Sequence, residues 1–372
     1  MNAGAALMPA VVDQAVRAHW DLELRLGGYA AAAHAAEQLD GVYGGIARLL
    51  GADPDEIALT ENATVAWQLA FYSLPLRRGD RVLTGEAEYA ANYVAYLQLR
   101  RRSGIEIDVV PSDAAGRLDV AALEAMIDDR VKLISVTWVP TNGGLVNPAA
   151  QIGRVAARHG VLYLLDACQA VGQMPVDVRE LGCDILTGTG RKFLRGPRGT
   201  GLLYMRRDLL QRTEPAMIDH FSAPWTSLDD YTLRPDARRF ETWENAYALR
   251  AGLGAAVGYA LDLGLERIQA SAWGAADRVR RGLRGIDGVQ VLDLGERPCA
   301  LVSFRLDDRP ADEVVRAAER AGVVIGVSAP GSTLLDARRR ALPVINRASP
   351  HYYTSQEDID RLLDVVETLA RT

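Results

Sequence analysis

The chain of 372 residues carries 42 lysines and arginines against 48 aspartates and glutamates, a formal net charge of −6. That balance argues against a nucleic-acid-binding protein, which normally presents a basic patch or stripe. The sequence contains no apolar run long enough for a membrane span and no pattern typical of a signal peptide. Its three cysteines lack metal-site or disulfide-framework spacing, so we predict a cytoplasmic protein without a bound metal.

Strands and helices alternate through the first two thirds of the chain, after a helical segment that ends near residue 50. Predicted strands lie at 56–60, 81–84, 105–110, 131–136, 161–165, 184–187 and 201–205. Predicted helices between them lie at 65–74, 89–101, 120–128 and 148–159. Such alternation is typical of an α/β protein with a mainly parallel sheet between helices, here of seven strands. Ligands of such sheets bind at the carboxyl ends of the strands.

A polar, turn-rich segment at about 211–239 interrupts this alternation. Two predicted helices, 246–263 and 266–284, then lead to a smaller α+β unit, and a last helix covers 356–369. The predicted strands of that unit lie at 289–292, 301–304 and 323–326. We therefore predict a large domain over residues 10–245 and a small C-terminal domain over 246–372, with which we group the N-terminal segment 1–9.

Only two of the basic residues are lysines, Lys132 and Lys192. Arginine stays protonated near neutral pH and cannot form a Schiff base, so any amine chemistry on a carbonyl falls to these two. Lys132 opens an apolar run, which is typical of a solvated strand end. Lys192 lies between a Thr/Gly-rich turn and a Gly/Pro turn, where the backbone can approach a ligand closely.

Three turns at the carboxyl ends of predicted strands suit one ligand. The turn at 61–64 begins a helix, whose free N–H groups and dipole attract a phosphate. Asp166 ends a buried apolar strand, where a carboxylate is costly unless it is paired with a cation; a helix cap or a structural ion pair is the alternative. In the third turn, Thr189 and Arg191 place a hydroxyl and a guanidinium beside Lys192, and both groups suit a phosphate.

This set of groups is the one that pyridoxal 5′-phosphate (PLP) requires. A lysine forms the internal aldimine, an acid keeps the pyridine nitrogen protonated, and a helix N-terminus with nearby donors holds the phosphate. We therefore predict PLP as the cofactor and Lys192 as the catalytic residue.

The motifs around these residues resemble those of a known group. Residues 166–169, Asp-Ala-Cys-Gln, resemble its Asp-x-x-Gln; 189–192 resemble its Ser-Gly-His-Lys; and 196–201 resemble its Gly-Pro-Lys-Gly-x-Gly. On these motifs the whole chain resembles fold-type I PLP enzymes of the aminotransferase class V group. That group contains cysteine desulfurases, C–S lyases and isopenicillin-N-epimerase-like proteins.

The resemblance implies a role for individual residues. It implies that Asp166 meets the pyridine nitrogen and Gln169 the ring hydroxyl. The further cofactor contacts that it implies are Ala63 and Thr64 at the phosphate, Thr141 beside the ring, and Tyr89 where many members stack a histidine. Arg347 falls in a segment similar to the Arg-Ala-Ser whose arginine binds the α-carboxylate of an amino-acid substrate, a task that suits a bidentate guanidinium. The resemblance also implies a homodimer with the active site near the interface.

The sequence favours one reaction over its alternatives. Cysteine desulfurases need a mobile thiol in the loop before the final arginine, and residues 327–333 contain no cysteine. Residues 27–29 and the lysine loop resemble thiol-free C–S lyases, such as the hercynylcysteine sulfoxide lyase. We therefore predict β-elimination from a cysteine-derived, S-conjugate or sulfoxide amino acid, through the internal aldimine and a quinonoid. An aminotransferase, an epimerase and a cysteine desulfurase are the alternatives.

Overall fold

The computed structural model describes residues 1–371, and a seven-stranded sheet forms its largest layer. The strands are β1 (Ile57–Thr60), β2 (Arg81–Gly85), β3 (Glu106–Val110), β4 (Val131–Thr137), β5 (Leu162–Asp166), β6 (Ile185–Thr189) and β7 (Gly201–Met205). Their order across the sheet is β1-β7-β6-β5-β4-β2-β3. Strands β2 to β6 pair in parallel, and β7 is antiparallel to both β1 and β6. The predicted mainly parallel sheet of seven strands is confirmed.

Helices cover both faces of this sheet. In chain order the helices are α1 (Ala10–Leu26), α2 (Gly28–His34), α3 (Ala36–Leu50), α4 (Ala63–Tyr72), α5 (Ala90–Ser103), α6 (Val120–Ala125), α7 (Ala149–His159), α8 (Val178–Leu181), α9 (Arg207–Leu210), α10 (Tyr247–Leu263), α11 (Leu265–Arg284), α12 (Ala311–Arg320), α13 (Leu334–Arg339) and α14 (Gln356–Ala370). Single 3₁₀ turns lie at Pro54–Glu56, Ala237–Phe240 and Pro330–Thr333. Within residues 1–371 no helix combines the length and the apolar character that crossing a membrane requires.

The central strands are apolar on both sides because successive strand residues point to opposite faces of the sheet. One face packs under α4 and α5 and includes Leu133, Leu164 and Ile185. The other packs under α3, α7 and α10 and includes the next residue of each strand: Ile134, Leu165 and Leu186. Two cores on one sheet explain why these strands appear in the sequence as continuous apolar runs.

A second sheet of four antiparallel strands follows in the chain. Its strands are β10 (Val289–Val291), β11 (Val302–Leu306), β12 (Gly326–Ser328) and β13 (Ile345–Ala348), in the order β10-β11-β13-β12. The remaining strands, β8 (Trp225–Ser227) and β9 (Asp230–Tyr231), form an exposed hairpin in the turn-rich segment. The domain boundary between residues 245 and 246 stays a prediction.

The second sheet differs from the prediction at two strands. The strand expected at 323–326 begins only at Gly326, and β13 was not predicted at all. β13 has no apolar pattern in the sequence because it contains Asn346 and Arg347. Both side chains are buried, and both donate hydrogen bonds to other parts of the chain. Arg347 therefore lies on an inner strand of the second sheet.

Candidate active site

The lysine loop joins β6 to β7 through a turn that only small residues allow. The Gly190 amide donates to the Thr200 carbonyl oxygen at 3.1 Å, and the Gly196 amide donates to the Gly190 carbonyl oxygen at 2.7 Å. A Cβ atom on Gly190 would lie 2.2 Å from the Thr200 hydroxyl oxygen, so glycine is required there. This turn sets Lys192 at the carboxyl end of the sheet.

Lys192 is partly buried, and its surroundings favour the neutral amine. Burial lowers the pKa of the Lys192 amine, while nearby Cys168 and Asp166 oppose that change. The positive charges of Arg191 and Arg347 lower the pKa further. A neutral amine is the form that attacks a carbonyl carbon or takes up a proton.

Asp166 and Gln169 lie at the end of β5, and both side chains are almost fully buried. The Asp166 carboxylate accepts hydrogen bonds from the Cys168 amide at 2.9 Å and from the Asn92 side-chain amide at 3.0 Å. The Gln169 Nε2 donates to the Ala3 carbonyl oxygen at 3.1 Å, whereas its Oε1 has no partner. An unpaired buried acceptor is rare in folded proteins and indicates a group ready for a ligand.

Three predicted phosphate residues meet at the N-terminus of α4. Asn62 caps the helix by accepting from the Val65 amide at 3.0 Å, so the Ala63 and Thr64 amides precede the first intrahelical bond. Thr189 pairs with Gly201, and a Cβ on Gly201 would lie 2.4 Å from the Asn62 carbonyl carbon. The end of β6 therefore faces the free N–H groups of α4.

Arg347, Thr141 and Tyr89 lie close together, and the charge of Arg347 is near Lys192. The Arg347 guanidinium donates to the Thr141 carbonyl oxygen at 3.0 Å and to the Thr141 hydroxyl, while its buried Nε lacks a partner. Burial lowers the pKa of Arg347, and Tyr89 is close enough to oppose that change. Tyr89 itself keeps 38% of its surface exposed.

Residues 2–7, the N-terminal strap, cross the site between the two sheets. The Asn2 side chain donates to the Ser349 carbonyl oxygen at 2.6 Å, and the Ala3 amide donates to the Ser349 hydroxyl at 3.1 Å. On the other side, the Ala6 amide donates to the Arg191 carbonyl oxygen at 2.9 Å. The Arg191 guanidinium donates to the carbonyl oxygen of Gly4. Arg191, expected at the phosphate, thus contacts the strap in this structure.

Sequence reasoning missed two buried residues that touch the predicted set. Glu88 and Asn92 lie at the start of α5, and the amide of Asn92 reaches Asp166 across a separation of 74 residues. Their only signal in the sequence is a carboxylate and an amide spaced i, i+4 beside a strand end, which fits many exposed helix starts. Their proximity to Asp166 required the tertiary structure.

His351 supports the lysine loop from behind and gives a pH prediction. Its Nε2 donates to the Phe193 carbonyl oxygen at 2.8 Å, and its Nδ1 accepts from the Tyr352 amide at 2.9 Å, so both nitrogens are satisfied in the neutral ring. Burial lowers the pKa of His351 from 6.5 to about 4. Between these values the unfolded chain binds more protons than the folded one, so stability falls as the pH decreases from 6.5 to 4.

We expect this residue to remove about 3 kcal/mol of unfolding free energy over that pH range. Urea unfolding of the wild type and of His351→Gln at several pH values measures the difference. The variant is expected to be less stable at pH 7 but less sensitive to acid. Parallel pH profiles for the two proteins would show that His351 is not the titrating group.

Comparison with known proteins identifies the family. The aminotransferase class-V family model matches residues 1–362. The chain belongs to the aminotransferase class-V family. A probable cysteine desulfurase of Methanothermobacter thermautotrophicus is 30% identical over 92% of this chain and 86% of that protein. A cysteine desulfurase of Yersinia pestis is 33% identical over 97% of this chain and 90% of that protein.

Solved structures of class-V enzymes share the fold. An apo cysteine desulfurase from Thermococcus onnurineus covers all of this chain and 94% of its own, with a TM-score of 0.92 and 25% identity. The cystine C–S lyase C-DES in complex with cysteine persulfide covers 98% of this chain and 96% of its own, with a TM-score of 0.88 and 26% identity. A C-DES variant carries glycine covalently linked to its PLP cofactor.

PLP as cofactor is confirmed by the family and by these neighbours. The residues of this chain fit it: the Lys192 amine has a lowered pKa, Asp166 is a buried carboxylate, and the α4 N-terminus offers free N–H groups. The buried atoms Gln169 Oε1 and Arg347 Nε have no hydrogen-bond partner in the protein and are available to a ligand. The chain is a PLP-dependent class-V enzyme whose relatives act on C–S bonds.

The predicted reaction is wrong in its main form. The relatives at 30–33% identity are cysteine desulfurases, which favours the desulfurase alternative over β-elimination from an S-conjugate or sulfoxide. The specific likeness to the hercynylcysteine sulfoxide lyase is not confirmed. A loop without a thiol does not exclude desulfuration, because the thiol that accepts the sulfur can belong to another molecule.

Proposed function

We propose that the chain is a PLP-dependent enzyme of the cysteine desulfurase type, which removes sulfur from L-cysteine. The observation that carries the proposal is the placement of the Lys192 amine at the carboxyl end of the sheet, close to Asp166 and Arg347. The relatives named cysteine desulfurase supply the reaction class.

Arg347 is the proposed binding group for the α-carboxylate of the substrate. Thr141 holds one guanidinium nitrogen through its carbonyl and hydroxyl oxygens, which fixes the plane of the side chain. The unpaired Nε is then left for a carboxylate oxygen. Because guanidinium and carboxylate are both planar and forked, this contact also sets the orientation of the amino acid.

Lys192 and Asp166 are the proposed proton-handling groups. Bound PLP supplies an electron sink for the bonds at the substrate Cα. Lys192, whose pKa is lowered by burial, holds the aldehyde in the resting site and takes the proton from Cα once the substrate is bound. Asp166 holds a proton at the ring nitrogen, with Gln169 as the proposed partner of the ring hydroxyl.

The sulfur acceptor is proposed to be a thiol outside this chain. The loop at 327–333 has no cysteine. Asn142 holds this loop in place through hydrogen bonds with the hydroxyls of Ser328 and Thr333. Burial raises the pKa of all three cysteine thiols of the chain, which disfavours their thiolate forms. The Cβ–S bond breaks, and sulfur passes to the external thiol to give a persulfide and alanine.

The test is product analysis with L-cysteine, purified holoenzyme and a small thiol such as dithiothreitol. We expect alanine and sulfide released from the persulfide in equal amounts, at a rate that rises with the thiol concentration. Pyruvate in place of alanine would reject desulfuration in favour of elimination. With one equivalent of L-cysteine and no dithiothreitol, alanine formed while the sulfur stays on the protein would show that a protein thiol accepts the sulfur.

We also propose that the enzyme is a cytoplasmic homodimer. Large apolar side chains remain exposed on one part of the surface, where Tyr29 and Trp20 share a cleft and Trp243 packs edge-on to Tyr29. Contiguous exposed aromatic groups of this kind mark protein–protein contacts. The cleft also includes residues 244–248, which lead into α10.

A further inference from the structure

A buried polar network lies directly behind Asp166. Its centre is Glu88, which is buried between β2 and α5 and accepts only from uncharged donors. The donors are the Thr84 hydroxyl at 2.9 Å, the Tyr89 amide at 2.8 Å, the Asn92 side-chain amide at 2.9 Å, the Thr137 amide at 3.2 Å and the Thr137 hydroxyl. With these five contacts the Glu88 side chain has a single available orientation.

Asn92 links this carboxylate to Asp166. Its Nδ2 donates one hydrogen to Glu88 Oε1 at 2.9 Å and the other to Asp166 Oδ2 at 3.0 Å. Both neighbours are acceptors, so the amide nitrogen, and not the amide oxygen, must face them. Glu88 thereby fixes which way the Asn92 amide points.

The two oxygens of Asp166 are therefore held separately. Oδ2 accepts from Asn92, and Oδ1 accepts from the backbone amide of Cys168 at 2.9 Å. A carboxylate held at both oxygens cannot rotate about its Cβ–Cγ bond without breaking a buried hydrogen bond. Each oxygen keeps a further lone pair for a ligand.

We propose that Asn92 and Glu88 are positioning residues, which hold the Asp166 carboxylate in the orientation that receives the ring nitrogen of PLP. Asn92 acts on Asp166 directly, and Glu88 acts through Asn92. The inference rests on the proposed place of Asp166 at that nitrogen, and it is independent of the reaction that the enzyme catalyses. If the network only stabilised the fold, its loss would weaken the binding of a ligand with the ring nitrogen and of one without it to the same extent.

The discriminating experiment compares two ligands of the apo-protein: PLP and its 1-deaza analogue, which has carbon in place of the ring nitrogen. Dissociation constants are measured by fluorescence titration for the wild type, Asn92→Ala and Asn92→Ser. We expect each variant to lose about tenfold in affinity for PLP and to bind the deaza analogue almost as well as the wild type does, because only PLP contacts Asp166 through a charged hydrogen bond.

Two controls separate the possible failures. Asn346→Ala removes a similarly buried side-chain amide, which donates to the Ala311 carbonyl oxygen in the second sheet. This variant should not change the ratio of the affinities for PLP and the deaza analogue. Asp166→Asn should abolish the preference for PLP. If it does not, Asp166 is not at the ring nitrogen and the inference falls with that assignment. Equal losses for both ligands in both Asn92 variants would overturn the positioning role alone.

Discussion

Replacing Lys192 by alanine should lower the rate at which the enzyme forms alanine from L-cysteine by a factor on the order of 10³ or more. The variant loses both the amine that holds the cofactor aldehyde and the base that the site provides. The absorbance band at ~420 nm of lysine-bound PLP should disappear with it. Spectra and product assays on the same preparations measure both effects.

The chain supplies a matched control for this experiment. Lys132 is the only other lysine; it is exposed at the start of β4, where its amine donates to the Asp129 carbonyl oxygen at 2.6 Å. Lys132→Ala should keep both the band and the activity. A Lys192→Ala protein that still shows the band would place the aldehyde-binding amine elsewhere, and Lys132 is the one side chain left to test.

Replacing Arg347 by lysine should raise the KM for L-cysteine by about 10- to 100-fold and change kcat much less. Lysine keeps the positive charge but loses the forked pair of donors, and hydrogen bonds to charged groups carry the corresponding energy. The variant also breaks the contacts to Thr141 that fix the guanidinium plane. Steady-state kinetics with L-cysteine measure the change.

The carboxylate contact can be isolated with a substrate analogue. Cysteamine lacks the α-carboxylate, so Arg347→Lys should bind it as weakly as the wild type does. Arg305→Lys is the matched control, because Arg305 lies on the adjacent strand β11 and pairs with Gln290 and Asp307 away from the site. An unchanged KM for L-cysteine would remove Arg347 from the substrate site.

The large sheet was predictable from the sequence because its central strands bury both faces and so carry continuous apolar runs. β13 was not, because burial of Asn346 and Arg347 depends on partners 35 and 206 residues away in the chain. The strands of the large sheet can be predicted from their own residues, whereas β13 can be recognised only from its contacts in the folded protein. Local pattern therefore predicts a strand only where apolar side chains alone fill the core.

The candidate site divides in the same way. Asp166 and Lys192 stand on single turns with local motifs, so the sequence indicated them directly. The roles of Asn92 and Glu88 can be seen only once the start of α5 lies beside the carboxyl end of β5. The roles assigned to all of these residues stay predictions until the variants are measured. The reaction was misjudged because the acceptor of sulfur need not belong to the chain, and a missing thiol therefore says little about the bond that is cleaved.

The strap at residues 2–7 has a consequence for how the protein is made. Its partner Ser349 is separated from Asn2 by 347 positions, so the contact cannot form during most of translation. The strap's contacts to Gln169 and Arg191 can form earlier, whereas its contacts to Ser349 form only after residue 349 has been synthesised. Nascent chains that stall before residue 349 should therefore hold the strap on the side of Arg191 alone, and its other side should stay open.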